Sequence, residues 1–302
     1  MEEEGEFRGW DELIPDALGI IFRNLSLQEI LTVVPRVCKS WRKVVKGPYC
    51  WQEIDVEEWS NRSEPESIDR MVRMLITRSS GSMRKLCVSE LRNDLTFSFI
   101  AEHAGPLRTL RLPRSDISDT IVEQVASNLS AITFLDLSYC GRLGARALEA
   151  IGKHCKFLTG LRRNMHPINM DGKLSQEDEA RAISATMPKL RQLEIAYLLV
   201  DTTSVLEIIF NCPNLEFLDI RGCWNVKLDD KFVHEKFPKL RTLGPHVVDK
   251  YERGNWDAWS DYSDSFYDTD SFEGMWDEED GLELTFYEGF DEDSSYGWPP
   301  SP

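Results

Sequence analysis

Two hydrophobic periodicities divide the chain. Near its start, Leu18, Ile21, Phe22 and Leu25 fall at i, i+3, i+4 and i+7, one apolar stripe of an amphipathic helix. Pro15 stands at the head of that helix, where a missing N–H costs nothing. Ser26-Leu27-Gln28-Glu29 has the Ser-x-x-Glu form of a capping box and opens a second helix, with Leu27, Ile30, Leu31 and Val34 as its apolar face. Pro35 is expected to end or kink it. A third helix is predicted through Val37, Cys38, Trp41, Val44 and Val45, broken by Gly47-Pro48, and Trp51 and Ile54 follow. A helical unit of about 45 residues is marginal by itself, yet this one is rich in large apolar side chains. The stripe therefore packs on the rest of the chain or on another protein, and spacing alone leaves both open.

From Met83 onward the period changes. Met83-x-x-Leu86-x-Val88 is followed by Leu107-x-x-Leu110-x-Leu112, Ile132-x-x-Leu135-x-Leu137, a weaker Leu158-x-x-Leu161, Leu190-x-x-Leu193-x-Ile195, Leu215-x-x-Leu218-x-Ile220 and Leu240-x-x-Leu243. Successive starts lie 24, 25, 26, 32, 25 and 25 residues apart. This is the signature of leucine-rich repeats, about seven of them, in which stacked strand–turn–helix units supply a core that no unit has alone. The stretches between strands carry helical stripes, as at Ile121, Val122, Val125 and Leu129, or Val205, Ile208 and Ile209. The longer spacing marks an insertion around 163–172, a partner-contacting loop or a plain spacer.

Strand alternation turns the leucines inward and the residues between them onto the concave side. Arg111, Phe134, Asp136, Arg162, Glu194, Phe217, Asp219 and Arg221 are thereby the candidate partner-binding residues. Two Phe among charges fit a protein-binding surface, and an ordinary solvated sheet face is the other reading. Cys140 and Cys223 sit three residues past Leu137 and Ile220, and Cys155 and Cys212 three before Leu158 and Leu215. These are structural places for small apolar side chains. His154-Cys155 is not expected to form a catalytic pair, since helix neighbours point apart. The seven scattered cysteines and five histidines give no disulfide framework and no metal set, and no cofactor is expected.

Charge adds a further segment. The net charge is −17, and 249–302 alone carries 17 acidic and 2 basic residues, leaving the remainder near neutral. Acids interleaved there with Trp, Tyr and Phe read as a disordered tail, solvating or docking on a basic partner. Such a tail would repel phosphate, so direct nucleic-acid binding is not expected. No run of about 18 apolar residues predicts a membrane span. The acidic start lacks the character of a secretory signal, so a reducing compartment, nucleus or cytoplasm, is expected.

The N-terminal residues carry a resemblance. Leu13-Ile14-Pro15-Asp16-Ala17-Leu18-x-x-Ile21-Phe22-x-x-Leu25, then Val37-Cys38-x-x-Trp41-Arg42, then Trp51, is similar to the F-box. It departs only in Ile14, where Leu is commoner, and in Pro35. The resemblance implies docking on a Skp1-like protein that bridges to a cullin. Ile14, Pro15, Leu18, Ile21, Phe22, Val37, Cys38 and Trp41 would be the Skp1-facing or orienting positions. With the repeats, the chain resembles plant F-box/leucine-rich-repeat substrate receptors of ubiquitin ligases, and Trp51-Gln-Glu-Ile-Asp55 resembles a group that includes a receptor for Argonaute proteins. The implied function is a non-catalytic adaptor that holds a client, an Argonaute among the candidates, for ubiquitination and degradation. A repeat scaffold outside any ligase is the alternative. The expected architecture is an α/β leucine-rich-repeat solenoid with an all-α F-box at 10–56, a connector at 57–82, repeats at 83–248 and a tail at 249–302.

Overall fold

The computed structural model describes residues 9–166 and 175–246. The tail expected at 249–302 and most of the insertion at 163–172 lie outside the described residues. Among the described residues, eight strands pair in chain order in one parallel sheet. They are β1 (Glu53–Asp55), β2 (Lys85–Cys87), β3 (Thr109–Arg111), β4 (Phe134–Asp136), β5 (Gly160–Arg162), β6 (Gln192–Glu194), β7 (Phe217–Asp219) and β8 (Arg241–Leu243). The central residue of each strand is in register with the next, from Ile54 through Leu86, Leu110, Leu135, Leu161 and Leu193 to Leu218. All of these are buried, each contributing roughly 1.5–3 kcal/mol of hydrophobic stabilisation.

Helices return the chain between strands. They are α5 (Pro65–Ser79), α6 (Asp94–Glu102), α7 (Asp119–Val125), α8 (Ala145–His154), α9 (Glu177–Thr186), α10 (Thr202–Asn211) and α11 (Asp230–Lys236). Local chemistry starts them, with the side chains of Asn93, Ser118, Asp201 and Asp229 accepting N–H groups of the first turn. After each of several strands one residue takes the left-handed conformation: Glu90, Arg114, Tyr139, Tyr197 and Gly222. At Gly222 a side chain would also strike the ring of Tyr197. The buried thiols of Cys140 and Cys223 donate to the carbonyls of Leu112 and Ile195, one repeat back, at 3.2 and 3.3 Å. Cys155 and Cys212 do the same toward Leu129 and Met187. Burial pushes Cys155 up to about 11 and Cys212 to about 12, so these thiols are protonated packing elements rather than nucleophiles.

Three features differ from the sequence expectation. The array begins at Glu53, not Met83, so the stretch read as a connector at 57–82 supplies the helical limb of a first repeat. That limb comprises a short turn of helix, α4 (Glu57–Ser60), and α5. Its signal was Trp51-x-x-Ile54-x-Val56, with all three residues buried, the repeat pattern written without leucine. Second, the weak repeat at Leu158 is weak because its sixth position is Arg163. That side chain is 1% exposed, and its Nε meets Glu179 Oε2 at 2.9 Å. Its other nitrogens donate to the Leu143 carbonyl at 2.7 Å and the Leu137 carbonyl at 3.4 Å. A core leucine is replaced by an ion pair reaching across the insertion to α9. Third, Val37 and Cys38 do not continue into one helix with Trp41.

The N-terminal unit consists of α1 (Pro15–Phe22), a wide helical turn at Glu29–Val33 running into α2 (Val34–Val37), and α3 (Lys39–Lys46). The capping box forms as read: Ser26 N donates to Glu29 Oε2 at 2.9 Å and Glu29 N to Ser26 Oγ at 3.2 Å, which lowers the Glu29 pKa. Pro35 neither ends nor breaks the helix. The Val34 N–H reaches five residues back to the Glu29 carbonyl, a π-type turn that makes room for the proline ring. The helix stops two residues later because Cys38 is extended (φ −158°), and its sulfur accepts the Trp41 N–H as the cap of α3. Trp51 fastens this unit to the array, its buried indole N–H donating to the Val45 carbonyl at 2.7 Å.

Candidate functional site

Two surfaces stand out, one apolar and one charged. On the N-terminal unit the predicted docking residues separate into two sets. Leu18 and Phe22 are buried, at 0% and 1% exposure. Phe22 meets Trp41 edge to face at 5.0 Å between ring centres, and the Trp41 indole N–H donates to the Trp10 carbonyl at 3.4 Å. Cys38 is the cap already described. These four hold the unit together. Ile14 at 66%, Val37 at 54% and Ile21 at 41% exposure remain in water, as does Pro15. Sequence reasoning missed Ile20, Leu25 as a solvent-facing residue, and Val33, which is 55% exposed. Helical periodicity could not sort them, because in so small a unit the stripe has to serve an internal face and an outer one at once. Single exposed apolar residues are ordinary, but this many large aliphatics on three short helical segments mark an interaction surface.

On the sheet, the third residues of the strands form a row in register: Asp55, Cys87, Arg111, Asp136, Arg162, Glu194 and Asp219. Their charges form a ladder. Arg111 lies 3.1 Å from Glu57 and 3.4 Å from Asp136, and Arg162 lies 3.9 Å from Asp136 and 2.8 Å from Glu194. Burial raises the Glu57 pKa against the opposing pull of Arg111. Asp136 and Asp219 are buried rather than presented to solvent. Each accepts a backbone N–H two residues on, from Ser138 and Arg221, at 3.0 Å, closing the turn after its strand. Arg221 folds back on Asp219 at 2.8 Å. The two aspartates thus order the arginines and the turns, a correction to their expected place on the exposed face.

Phe134 is half-buried. Arg162 lies over its ring at 5.4 Å, and the ring fills the space left by Gly160, where a Cβ would come within 2.5 Å of it. Phe217 is likewise half-buried at the same strand position, with Gln192 and Arg241 as its register neighbours. The sheet therefore offers two half-buried aromatic residues at the first strand position, one of them under Arg162, suited to contacts with a polypeptide. Beside it, Asp55, Glu57 and Cys87 bring ligand atoms within 4.8 Å of one another. Lys85 and Arg111 already neutralise the two carboxylates at 3.1 Å each, and Cys87 is pushed up to about 12 by burial.

Comparison with known proteins gives these surfaces a context. Residues 10–53 match the F-box domain, the segment that contains α1 to α3. The chain is 53% identical over 320 residues to the F-box protein FBW2 of Arabidopsis thaliana, covering 100% of both chains. It belongs to the plant F-box/LRR family. The F-box protein SKIP19 of the same plant is 31% identical, with 96% of each chain covered, and F-box/LRR-repeat protein 22 is 27% identical over 99% of this chain and 92% of its own. An F-box domain implies Skp1 binding. F-box proteins are in general non-catalytic substrate adaptors of Skp1–cullin–F-box ligases, and an adaptor role of that general kind goes with the F-box domain of this chain. Among the described residues, no helix is long and apolar enough to cross a membrane.

Proposed function

We propose that the protein holds a client on its repeat sheet for ubiquitination and proteasomal degradation, while its F-box docks on a Skp1-like subunit that links it to a cullin. The observation that carries this reading is the division of labour in the structure. Exposed aliphatic residues are concentrated on the helical unit, and a row of arginines and half-buried aromatics is displayed by the sheet. The adaptor performs no covalent step. It raises the effective concentration of client lysines near the conjugating enzyme, a proximity effect. Arg111, Phe134, Arg162, Glu194, Phe217 and Arg221 are the proposed client contacts. The family resemblance puts an Argonaute forward as the client class, in the nucleus or cytoplasm.

Affinity purification of the full chain with the proteasome inhibited tests the proposal. The expected catch is a Skp1-like protein, a cullin and a ubiquitinated client. A catch with neither Skp1 nor cullin, but with stable partners of the repeat sheet, would favour a scaffold outside the ligase.

A further inference from the structure

The edge where the strands begin carries a charge pattern that the row at their far ends does not. Backbone hydrogen bonds join the residues preceding successive strands into one line: Arg84, Arg108, Thr133, Thr159, Arg191 and Glu216. Arg84, Arg108 and Arg191 are exposed, as are Lys189, Lys239 and Arg241 beside them. Arg191 pairs with Glu216 at 2.7 Å and Arg108 donates to the Ala131 carbonyl at 2.8 Å. Among the described residues, Arg84, Lys189, Lys239 and Arg241 make no ion pair. Cations at helix C-termini offset the helix dipole, which accounts for Lys153, His154 and Lys236 in the last turns of their helices. It does not account for cations on the strand side.

We infer that this edge is a docking surface for an acidic segment of the client polypeptide, an inference that rests on the client-binding reading above. The arrangement selects the occupant. One cationic cluster lies at β2 and β3, the other at β6 to β8. Between them Thr133 and Thr159 are uncharged, their hydroxyls spent on backbone carbonyls, and Lys156 turns back to the Gly152 carbonyl at 2.9 Å. That neutral centre exposes Phe157, 61% accessible, with Lys189 Nζ 5.7 Å from its ring centre. Strands lie about 4.8 Å apart, so the gap from β3 to β6 is about 14 Å, the reach of roughly four extended residues. A polypeptide with acids on both sides of an apolar residue matches that spacing. A nucleic acid carries phosphates at uniform intervals and would leave its central charges opposite threonines and a phenylalanine.

The test uses the full chain bound to its Skp1-like subunit and a fluorescein-labelled peptide, Glu-Glu-Ser-Phe-Ser-Glu-Glu, read by anisotropy. Two control peptides carry Gln for Glu or have all the acids moved to one end, and oligouridylate is a further probe. The acidic peptide is expected to bind more tightly than every control, with affinity falling as salt rises. The pairs Arg84→Glu with Arg108→Glu, and Lys189→Glu with Arg241→Glu, are each expected to weaken it about tenfold, and the matching Gln variants less. Variants that bind the peptide as the wild type does, or oligouridylate binding more tightly than the peptide, would overturn the inference. Skp1 retention in the same samples reports separately on the adaptor reading, which loses its footing only if the wild-type chain fails to hold Skp1.

Discussion

The helical unit and the repeat array solve the same packing problem in opposite ways. Each repeat is a short strand and a helix with an apolar face, and each covers the next, so Leu86 through Leu218 are buried in register, and where a charge enters the core, at Arg163, buried Glu179 pairs with it. The helical unit has no second copy to stack on. It buries Leu18 and Phe22 internally, attaches itself to the array through Trp51, and leaves Ile14, Ile20, Ile21, Val33 and Val37 in water. The lesson is that apolar surface left over in a small, tethered unit marks a binding face, whereas in a repeat array the neighbour absorbs most of it and leaves isolated residues such as Leu95 and Phe157 outside. Substitutions can break that contrast from either side.

The largest expected effect lies within the array. Glu179→Ala leaves the buried Arg163 guanidinium without its counter-charge and should cost about 3–5 kcal/mol, seen as a lowered midpoint in chemical denaturation. Replacing Arg163 and Glu179 together by leucine should recover most of that loss, because the site then becomes an ordinary repeat position. Phe22→Ala comes next, at about 3–5 kcal/mol of local stability. Its signature should be loss of the Trp41 environment by fluorescence, with the array still folded. Losing Skp1 binding in that variant would report unfolding of the unit, so Phe22 and Trp41 are poor probes of docking.

The proposed client face should respond differently. Phe134→Ala with Phe217→Ala is expected to lengthen client half-life several-fold, as loss of interface hot spots does, while Skp1 co-precipitation stays at the wild-type level. A client still turning over at the wild-type rate would move recognition away from these two residues. The smallest effect is that of a cap: Ser118 Oγ accepts the Ile121 N–H at 3.4 Å, and Ser118→Ala should cost about 1 kcal/mol without touching either binding activity.

The sequence made the array legible because its leucines recur at nearly constant spacing and each has one structural role. The first repeat was hidden because Trp51, Ile54 and Val56 stand where leucines do elsewhere and because Trp51 serves both units. The docking unit was recognisable by its motif, but the motif does not separate residues that face the partner from residues that hold the unit together. Leu18 and Ile21 lie on one helical stripe, and only packing against α3 and the 3-10 turn at Pro48–Cys50 divides them. On the sheet, alternation set Asp136 and Asp219 apart from the core leucines and predicted them exposed. It could not foretell that their carboxylates would turn back to cap the following turns and disappear under arginines. The basic strand-entry edge was invisible in composition, because its cations lie far apart in sequence and are brought together only by the register.

The central claim is that the exposed aliphatic residues of the helical unit dock the ligase subunit and carry little of its stability. Ile21→Asp with Val37→Asp, made in the full chain, tests it in one preparation by titration with a Skp1-like protein and thermal melting. The account predicts at least a hundredfold loss of affinity, the scale of an interface hot spot, with a melting temperature unchanged from the wild type. Undiminished affinity, or a collapse of the fold accompanying the loss, would contradict it.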